Sequence, residues 1–363
     1  MNNQFMNQLK LFLVLAWLPM TALSANVLEV VPPDFHGAIQ PQAAIAADGN
    51  AFVVLGRGAE IFCTAGDTGL KFKPPVKVGE LPKLAVGMRR GPRVATAGGS
   101  VVVTAISHAE GNLYAWTSTD QGTTWSASTR VNSVTNSARE GMHAMVGDGK
   151  GLVYAAWLDL RNKGTELWGA SSRDGGRTWG RNILIYQSPD GTICQCCHPT
   201  LATDGAGRLW AMWRNAVGGA RDLYFASSRD GGETFSIATK LGSGTWRLNA
   251  CPMDGGNALV RPDGELLTAW RRDKSLFTSD GKGERLLSAT GLHPVVGWNG
   301  KAPFYVWQEG AKLMWRREGK PAEVFAERGG FASVAMASPA EPGVVVWEGN
   351  ANGGKTIFAR RME

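Results

Sequence analysis

The chain has 363 residues and a formal net charge of +7, yet its Lys and Arg residues are scattered without a run, which argues against a nucleic-acid-binding surface. Charged residues make up only 19% of the chain, beside 47 Gly and 14 Trp. That balance excludes a disordered or long-helical protein and points to a turn-rich, all-β globular fold.

Residues 1–25 read as a secretory signal. Lys10 supplies a positive start, residues 11–18 form a short apolar core, and Ala22-Leu23-Ser24 suits a signal peptidase. The apolar run is too short to span a bilayer as a helix, and no later segment is longer. The expectation is an exported protein, periplasmic or secreted, with residues 26–363 forming one domain.

A lone strand is expected at 27–31. After it a three-part unit recurs. Small-residue strands fall at 41–46, 91–95, 142–146, 198–202, 256–260, 293–296 and 331–335. Apolar strands, often ending in Trp, fall at 52–55, 101–104, 153–157, 209–213, 266–270, 304–307 and 344–347. Third strands are clearest at 166–170 and 222–226, and fourth strands are weaker. Repeated four-stranded units at this spacing predict a β-propeller. Seven blades are favoured; six is the alternative, because the last two units are short. The seventh unit has no room for a fourth strand, so the strand at 27–31 is expected to close the ring.

The third strand of each early unit runs into a recurring turn. Its copies are Ser118-Thr119-Asp120-Gln121-Gly122-Thr123-Thr124-Trp125, Ser172-Arg173-Asp174-Gly175-Gly176-Arg177-Thr178-Trp179 and Ser228-Arg229-Asp230-Gly231-Gly232-Glu233-Thr234-Phe235. Worn copies stand at Asp67 and Asp280. The five aspartates lie 53, 54, 56 and 50 residues apart. Asp and Ser can accept from nearby backbone N–H groups, and Gly supplies positive φ. One carboxylate per copy offers too few oxygens for a calcium loop.

These copies resemble the Asp-box (BNR) repeats of the sialidase-like β-propeller superfamily. The resemblance implies that the boxes are structural, on the turn between third and fourth strands and away from the ligand mouth. It also implies a sialidase-like glycoside hydrolase or a glycan-binding protein, acting on acidic carbohydrate or another small anion. Sialidases carry an arginine triad, a Tyr nucleophile helped by Glu and an Asp acid. The Arg-Ile-Pro signature of the first arginine is absent here; the nearest string is Arg89-Arg90-Gly91-Pro92.

Connectivity puts the boxes on one face and the links between blades on the other. The second face collects the chemistry. Arg90, Arg139, His143, Arg214, Trp246, Arg271 and His293 are candidate ligand-binding residues, since planar guanidinium forks suit carboxylate, sulfate or phosphate. Local pairing, such as Arg161 with Asp159, Arg139 with Glu140, Arg221 with Asp222 or Arg272 with Asp273, is the alternative use of the arginines. Glu140, Asp159, Asp254 and Asp273 are the carboxylates available for glycosidase chemistry, which needs two flanking one bond. Cys194, Cys196, Cys197, His198, Cys251 and Met253 form a soft-ligand group that suits copper or zinc, a disulfide to Cys251, or redox thiols. Cys63 is expected to be buried and inert. A protein partner on the same face is a further alternative.

Overall fold

The computed structural model describes residues 27–338 and 341–362, so the expected signal segment lies outside the described residues. Among them, no helix is long and apolar enough to cross a membrane. The chain forms seven four-stranded antiparallel sheets. Blade 1 is β2–β5 (Ile39–Ile45, Ala51–Arg57, Glu60–Gly66, Val76–Glu80). Blade 2 is β6–β9 (Arg93–Ala97, Ser100–Ser107, Asn112–Ser118, Thr129–Arg130). Blade 3 is β10–β13 (His143–Gly147, Val153–Asp159, Glu166–Ser172, Ile183–Tyr186). Blade 4 is β14–β17 (Thr200–Thr203, Leu209–Arg214, Leu223–Ser228, Thr239–Lys240). Blade 5 is β18–β21 (Asn257–Val260, Leu266–Arg272, Ser275–Ser279, Glu284–Ser288). Blade 6 is β22–β25 (Leu292–Trp298, Pro303–Glu309, Lys312–Arg317, Glu323–Ala326).

The seventh sheet joins the two ends of the chain. β26–β28 (Gly330–Ala335, Val344–Ala351, Gly354–Arg361) receive β1 (Leu28–Glu29) as their outer strand, with Leu28 opposite Ala359 and Glu29 opposite Phe358. Closure by an N-terminal strand ties the two chain ends into one sheet and covers the outer edge of β28 with a two-residue strand.

The second strand of each blade explains the apolar runs. β7 and β11 are buried along their whole length, because each is covered by a neighbouring blade on both faces. Such strands show continuous apolar runs rather than alternation. The core lies between blades: Val54, Ile61 and Cys63 of blade 1 pack on Val94, Val103 and Trp116 of blade 2. Tyr154 and Leu167 of blade 3 pack on Leu201 and Trp213 of blade 4. Trp157, Trp213, Trp270, Trp307 and Trp347 recur near the ends of second strands and are buried in five successive blades.

The Asp box is a self-contained turn that also docks a blade. In blade 3, the Gly176 N–H donates to Ser172 Oγ (2.8 Å), and Ser172 Oγ–H donates to Asp174 Oδ1 (2.8 Å). The Thr178 N–H and hydroxyl both reach the same carboxylate, at 2.9 and 2.6 Å. The same threonine hydroxyl contact, at 2.6 Å, recurs at Asp120 and Asp230. These bonds favour the charged carboxylate; led by the Thr124 hydroxyl, they hold Asp120 at about 2. Gly176 and Gly232 have φ of 88° and 92°. A Cβ on Gly176 would sit 2.6 Å from Val102 of blade 2, and one on Gly232 would run into the ring of Tyr154 of blade 3. Glycine is therefore required twice over, by backbone conformation and by the close approach to the preceding blade.

Candidate functional site

Antiparallel connectivity places the turns between first and second strands on the Asp-box face. The links between second and third strands, and between blades, lie on the opposite face. The candidate residues gather there in three layers: a rim of arginines, a buried polar centre and a pocket of cysteine thiols.

At the rim, Arg139 is exposed and Arg90 is half-buried, with its Nε donating to the Glu140 carbonyl (2.9 Å). Both guanidinium charges act on the Glu140 carboxyl. Burial nevertheless raises that carboxyl above its ordinary range, against the pull of Arg90 and Arg139. Arg221 comes from the link between β15 and β16; its Nε is buried without a protein acceptor. Arg271 donates from Nε to the Asp273 carbonyl (2.6 Å) and lies 5.3 Å from the centre of the Trp246 ring. Asp273 itself is exposed.

Several candidates are committed to structural contacts. The Arg214 guanidinium is buried and donates to three backbone carbonyls: Asp254 (2.8 Å), Arg271 (3.0 Å) and Arg221. It also lies 5.2 Å from the Trp246 ring centre. Its fork ties three links together and is not open to a ligand. Asp159 is fully buried, accepts both Arg161 Nε (2.9 Å) and Nη2 (2.8 Å), and also accepts from Trp157 and Ser137 (2.7 Å each). The Trp157–Asp159 contact has a counterpart in blade 6, where Trp307 donates to Glu309 (2.7 Å). Asp159 thus caps a strand-end Trp and has no lone pair aimed at the mouth. Of the local pairs expected from sequence, Arg161–Asp159 forms. Arg272 pairs instead with Glu284, and Asp222 with Lys240.

The polar centre is built on Asp254. Its carboxylate accepts the backbone N–H of His293 (2.7 Å) and of Gly256 (3.2 Å), and His293 Nδ1 lies 3.8 Å away. Burial opposes its charge, but His293, Arg214 and the His293 N–H together keep its pKa below the ordinary carboxylate value. Such a carboxylate holds loops together and is poorly placed to exchange protons with a bound sugar. Burial drives His293 down to about 4 and holds His143 well below 6.5, so both rings are neutral. His143 contacts Thr104 Oγ1 (3.1 Å), and His198 Nε2 donates to the Gly256 carbonyl (3.1 Å). The three histidines stand near the starts of innermost strands; His198 and His293 both face Asp254 and act on each other, and Nδ1 of all three rings is buried without a hydrogen-bond partner in the protein.

The thiol pocket lies in the link between β13 and β14. Cys194 Sγ is 3.6 Å from both Cys196 Sγ and Cys197 Sγ, and all three sulfurs lie within 4.8 Å of one another. All three residues are buried, and Met253 packs against them. Cys251 is exposed, and a hydrogen bond with Cys196 raises its thiol above the ordinary range. No sulfur pair stands at the roughly 2.05 Å of a disulfide bond. Cys63 is buried on β4 and pushed up to about 12 by that burial, as expected of an inert core thiol.

Two features were not singled out from sequence. One is a central cavity of about 1000 Å³ lined by the innermost strands, from Arg89, Arg93 and His198 to the turns at Asp148, Asp204 and Asp263 on the Asp-box face. The other is the pair Arg89 and Arg93 at the opposite end. Arg89 reaches across to the carbonyls of Ala332 (2.8 Å) and His293 (3.0 Å), and Arg93 donates to the Arg89 carbonyl (2.6 Å). Both are buried, and burial lowers them to about 10 and about 9. Their sequence signal was only the string Arg89-Arg90-Gly91-Pro92-Arg93; Arg93 satisfies carbonyls within that string, but those that Arg89 satisfies lie in blades 6 and 7, out of reach of any local reading.

Comparison with known proteins agrees with this architecture. Residues 94–272 match a family described as BNR repeat-like domain. No curated protein matches the chain. Among solved structures, a polysaccharide lyase, an ulvan lyase bound to -[GlcA(1-4)Rha3S]-, is 11% identical with a TM-score of 0.57, covering 92% of this chain and 96% of that one. An α-L-arabinofuranosidase from Fusarium graminearum, in complex with an iminosugar inhibitor, is 12% identical with a TM-score of 0.52, covering 94% and 98%. The NanB sialidase from Streptococcus pneumoniae is 10% identical with a TM-score of 0.53, covering 93% and 70%. At such identities the likeness is one of fold. Together with the box geometry, these matches show a β-propeller fold in which residues 94–272 resemble a BNR repeat-like domain.

Proposed function

We propose that this is an exported propeller that binds an acidic carbohydrate at the face opposite its Asp boxes. The observation that supports this most directly is the rim itself. Arg90 and Arg139 flank the half-buried Glu140, while Arg221 keeps a buried Nε without a protein acceptor. Arginines with uncommitted donors suit the carboxylate or sulfate of an acidic sugar, and a carboxyl of raised pKa suits a hydrogen bond to its hydroxyls. The solved propellers of similar fold include proteins bound to sugar-like ligands, which favours carbohydrate over other anions.

Binding fits the geometry better than hydrolysis. Glycoside hydrolysis uses two carboxyl groups on either side of one bond. Glu140 has the environment of a proton donor, but Asp159 is held by Arg161 and Asp254 is sealed beneath His293 and Arg214. Titration calorimetry against sialylated, uronate-containing and sulfated oligosaccharides, with neutral sugars as controls, tests the proposal. Salt-sensitive binding of an acidic sugar is expected, weakened about tenfold or more when Arg90 and Arg139 are both replaced by Ala. Failure to bind any acidic sugar, or equal binding of neutral ones, overturns it. Export is tested by fractionating cells that express the full chain: a shortened product outside the cytoplasm is expected.

A further inference from the structure

The cysteine pocket adjoins the arginine rim, near enough for Cys196 to act on Glu140 and for Arg221 and Glu140 to act on Cys251, but the carbohydrate reading gives its sulfurs no role. Three features distinguish it from buried structural cysteines. Its three sulfurs come from four consecutive residues, so one short link presents them together. They form a compact triangle with two edges of 3.6 Å. A metal at the centre of three sulfurs, with bonds of about 2.3 Å, needs edges of about 4.0 Å if planar and about 3.8 Å if part of a tetrahedron. Two edges therefore stand within a few tenths of an ångström of a metal-holding arrangement and the third lies within 4.8 Å, where apolar packing alone would have no reason to bring three thiols together.

The covering residue is the second feature. Met253 packs on the triangle and is held at φ 58°, a left-handed conformation that a non-glycine residue adopts at some cost. It comes from the next inter-blade link, where Asp254 and Arg214 fix the backbone on its C-terminal side. The third feature is charge. The Cys194 N–H donates to the Arg214 carbonyl (3.0 Å), and the positive charge of Arg214 acts on both Cys194 and Cys197. A cation thus lies beneath the pocket, ready to offset the excess negative charge of several thiolates around one metal ion.

We propose that Cys194, Cys196 and Cys197 bind a single Cu(I) ion through three thiolate sulfurs, with the Met253 thioether closing the site. The donor set decides for copper over zinc. Among the described residues no imidazole nitrogen or carboxylate joins the three sulfurs within 4.8 Å. Structural zinc takes four N or S ligands in a tetrahedron, commonly Cys and His. His143 and His198, the nitrogen ligands expected from sequence, are turned to Thr104 and Gly256. What remains is three thiolates and a thioether, one thiolate short of an all-cysteine zinc site, and a thioether ligand suits soft Cu(I) better than zinc. Cys251 is exposed and close enough to Cys196 to act on it, and in this proposal it serves as the ligand through which copper enters and leaves.

The test uses the full chain, purified under reducing conditions and titrated with Cu(I) against a competing chelator. One copper per chain is expected, with an X-ray absorption spectrum showing sulfur neighbours only. Replacing Cys194, Cys196 or Cys197 singly by Ser should weaken binding by about 100-fold or more, beyond the effect of losing an outer-shell partner. Replacing Cys251 by Ser should leave the stoichiometry at one copper and slow its transfer to the chelator. Thermal melting without metal shows whether each variant folds. Should a Ser variant not fold, the wild-type absorption spectrum decides alone. Nitrogen in the shell, a preference for zinc, a Cys251→Ser variant that binds no copper, or wild-type protein that forms a quantitative disulfide and takes up no metal would each overturn the proposal. Acidic-sugar binding is read separately, so failure of one reading leaves the other standing.

Discussion

The two faces of this propeller are built on opposite principles. On the Asp-box face each turn satisfies itself: Ser172, Asp174, Gly176 and Thr178 bond to one another within a few residues, and blades 2 and 4 repeat the pattern. On the mouth face the contacts that tie blades together come from distant segments. Arg214 of blade 4 holds the carbonyls of Asp254, in the link to blade 5, and of Arg271 in blade 5, Asp254 grips the start of blade 6, and Arg89 crosses from blade 2's entrance to blades 6 and 7. A self-contained turn can be copied from blade to blade. A contact that spans the ring has one place in the molecule, so that face is free to diversify and to carry chemistry.

The contrast can be broken most directly at Arg214. Replacing it by Met should destabilise the fold by about 3–5 kcal/mol, because three carbonyls and the buried Asp254 charge lose their partner. The urea midpoint measures this; a loss below about 1 kcal/mol would mean that the mouth is not held together by that side chain. Next comes Gly232. Changing it to Ala adds a Cβ in a left-handed conformation and against the Tyr154 ring, for an expected cost of about 2–4 kcal/mol. Little change in thermal midpoint would show that the box does not dock on the preceding blade.

Acidification should reveal the mouth before the boxes. The pKa of His293 in the folded chain is depressed from 6.5 to about 4, beside Asp254, Arg89 and Arg271. The unfolded chain therefore binds more protons between those values, and stability falls as pH drops through that window and levels off below it. His143 acts in the same direction. The expected loss from His293 is about 2–3 kcal/mol, read from denaturation at several pH values and flattened in a His293→Gln variant. Box aspartates such as Asp120, held at about 2, respond only below the ordinary Asp value of 3.8. Smaller still is Ser172→Ala, which leaves the buried Gly176 N–H without its acceptor for about 1–2 kcal/mol. At the small end, Arg139→Ala should leave stability within about 0.5 kcal/mol, since the side chain is exposed.

What sequence could reveal follows the same division. Blade number, ring closure by the strand at Leu28–Glu29 and the structural nature of the boxes were all readable, because they rest on local turn chemistry and on apolar runs with a fixed spacing. The thiol grouping was readable for the same reason: three cysteines in four residues cannot be far apart. The roles of Asp159, Asp254 and Arg214 were not. Each looks available when read in its own segment, and each is consumed by partners that only the closed ring supplies: Ser137 from the preceding inter-blade link for Asp159, His293 for Asp254, and the Asp254 and Arg271 carbonyls for Arg214. Even Arg161, a sequence neighbour of Asp159, could not by itself distinguish a capped Trp from a catalytic acid.

The sequence by itself therefore determined the architecture and which face would be scaffold, since hydrogen bonds within eight residues and the burial of a β-strand depend on nearby residue types. Only the tertiary structure decided which charged groups remain open at the mouth. A buried guanidinium or carboxylate must be satisfied, and in a ring of blades the atoms that satisfy it come from distant segments brought together by closure.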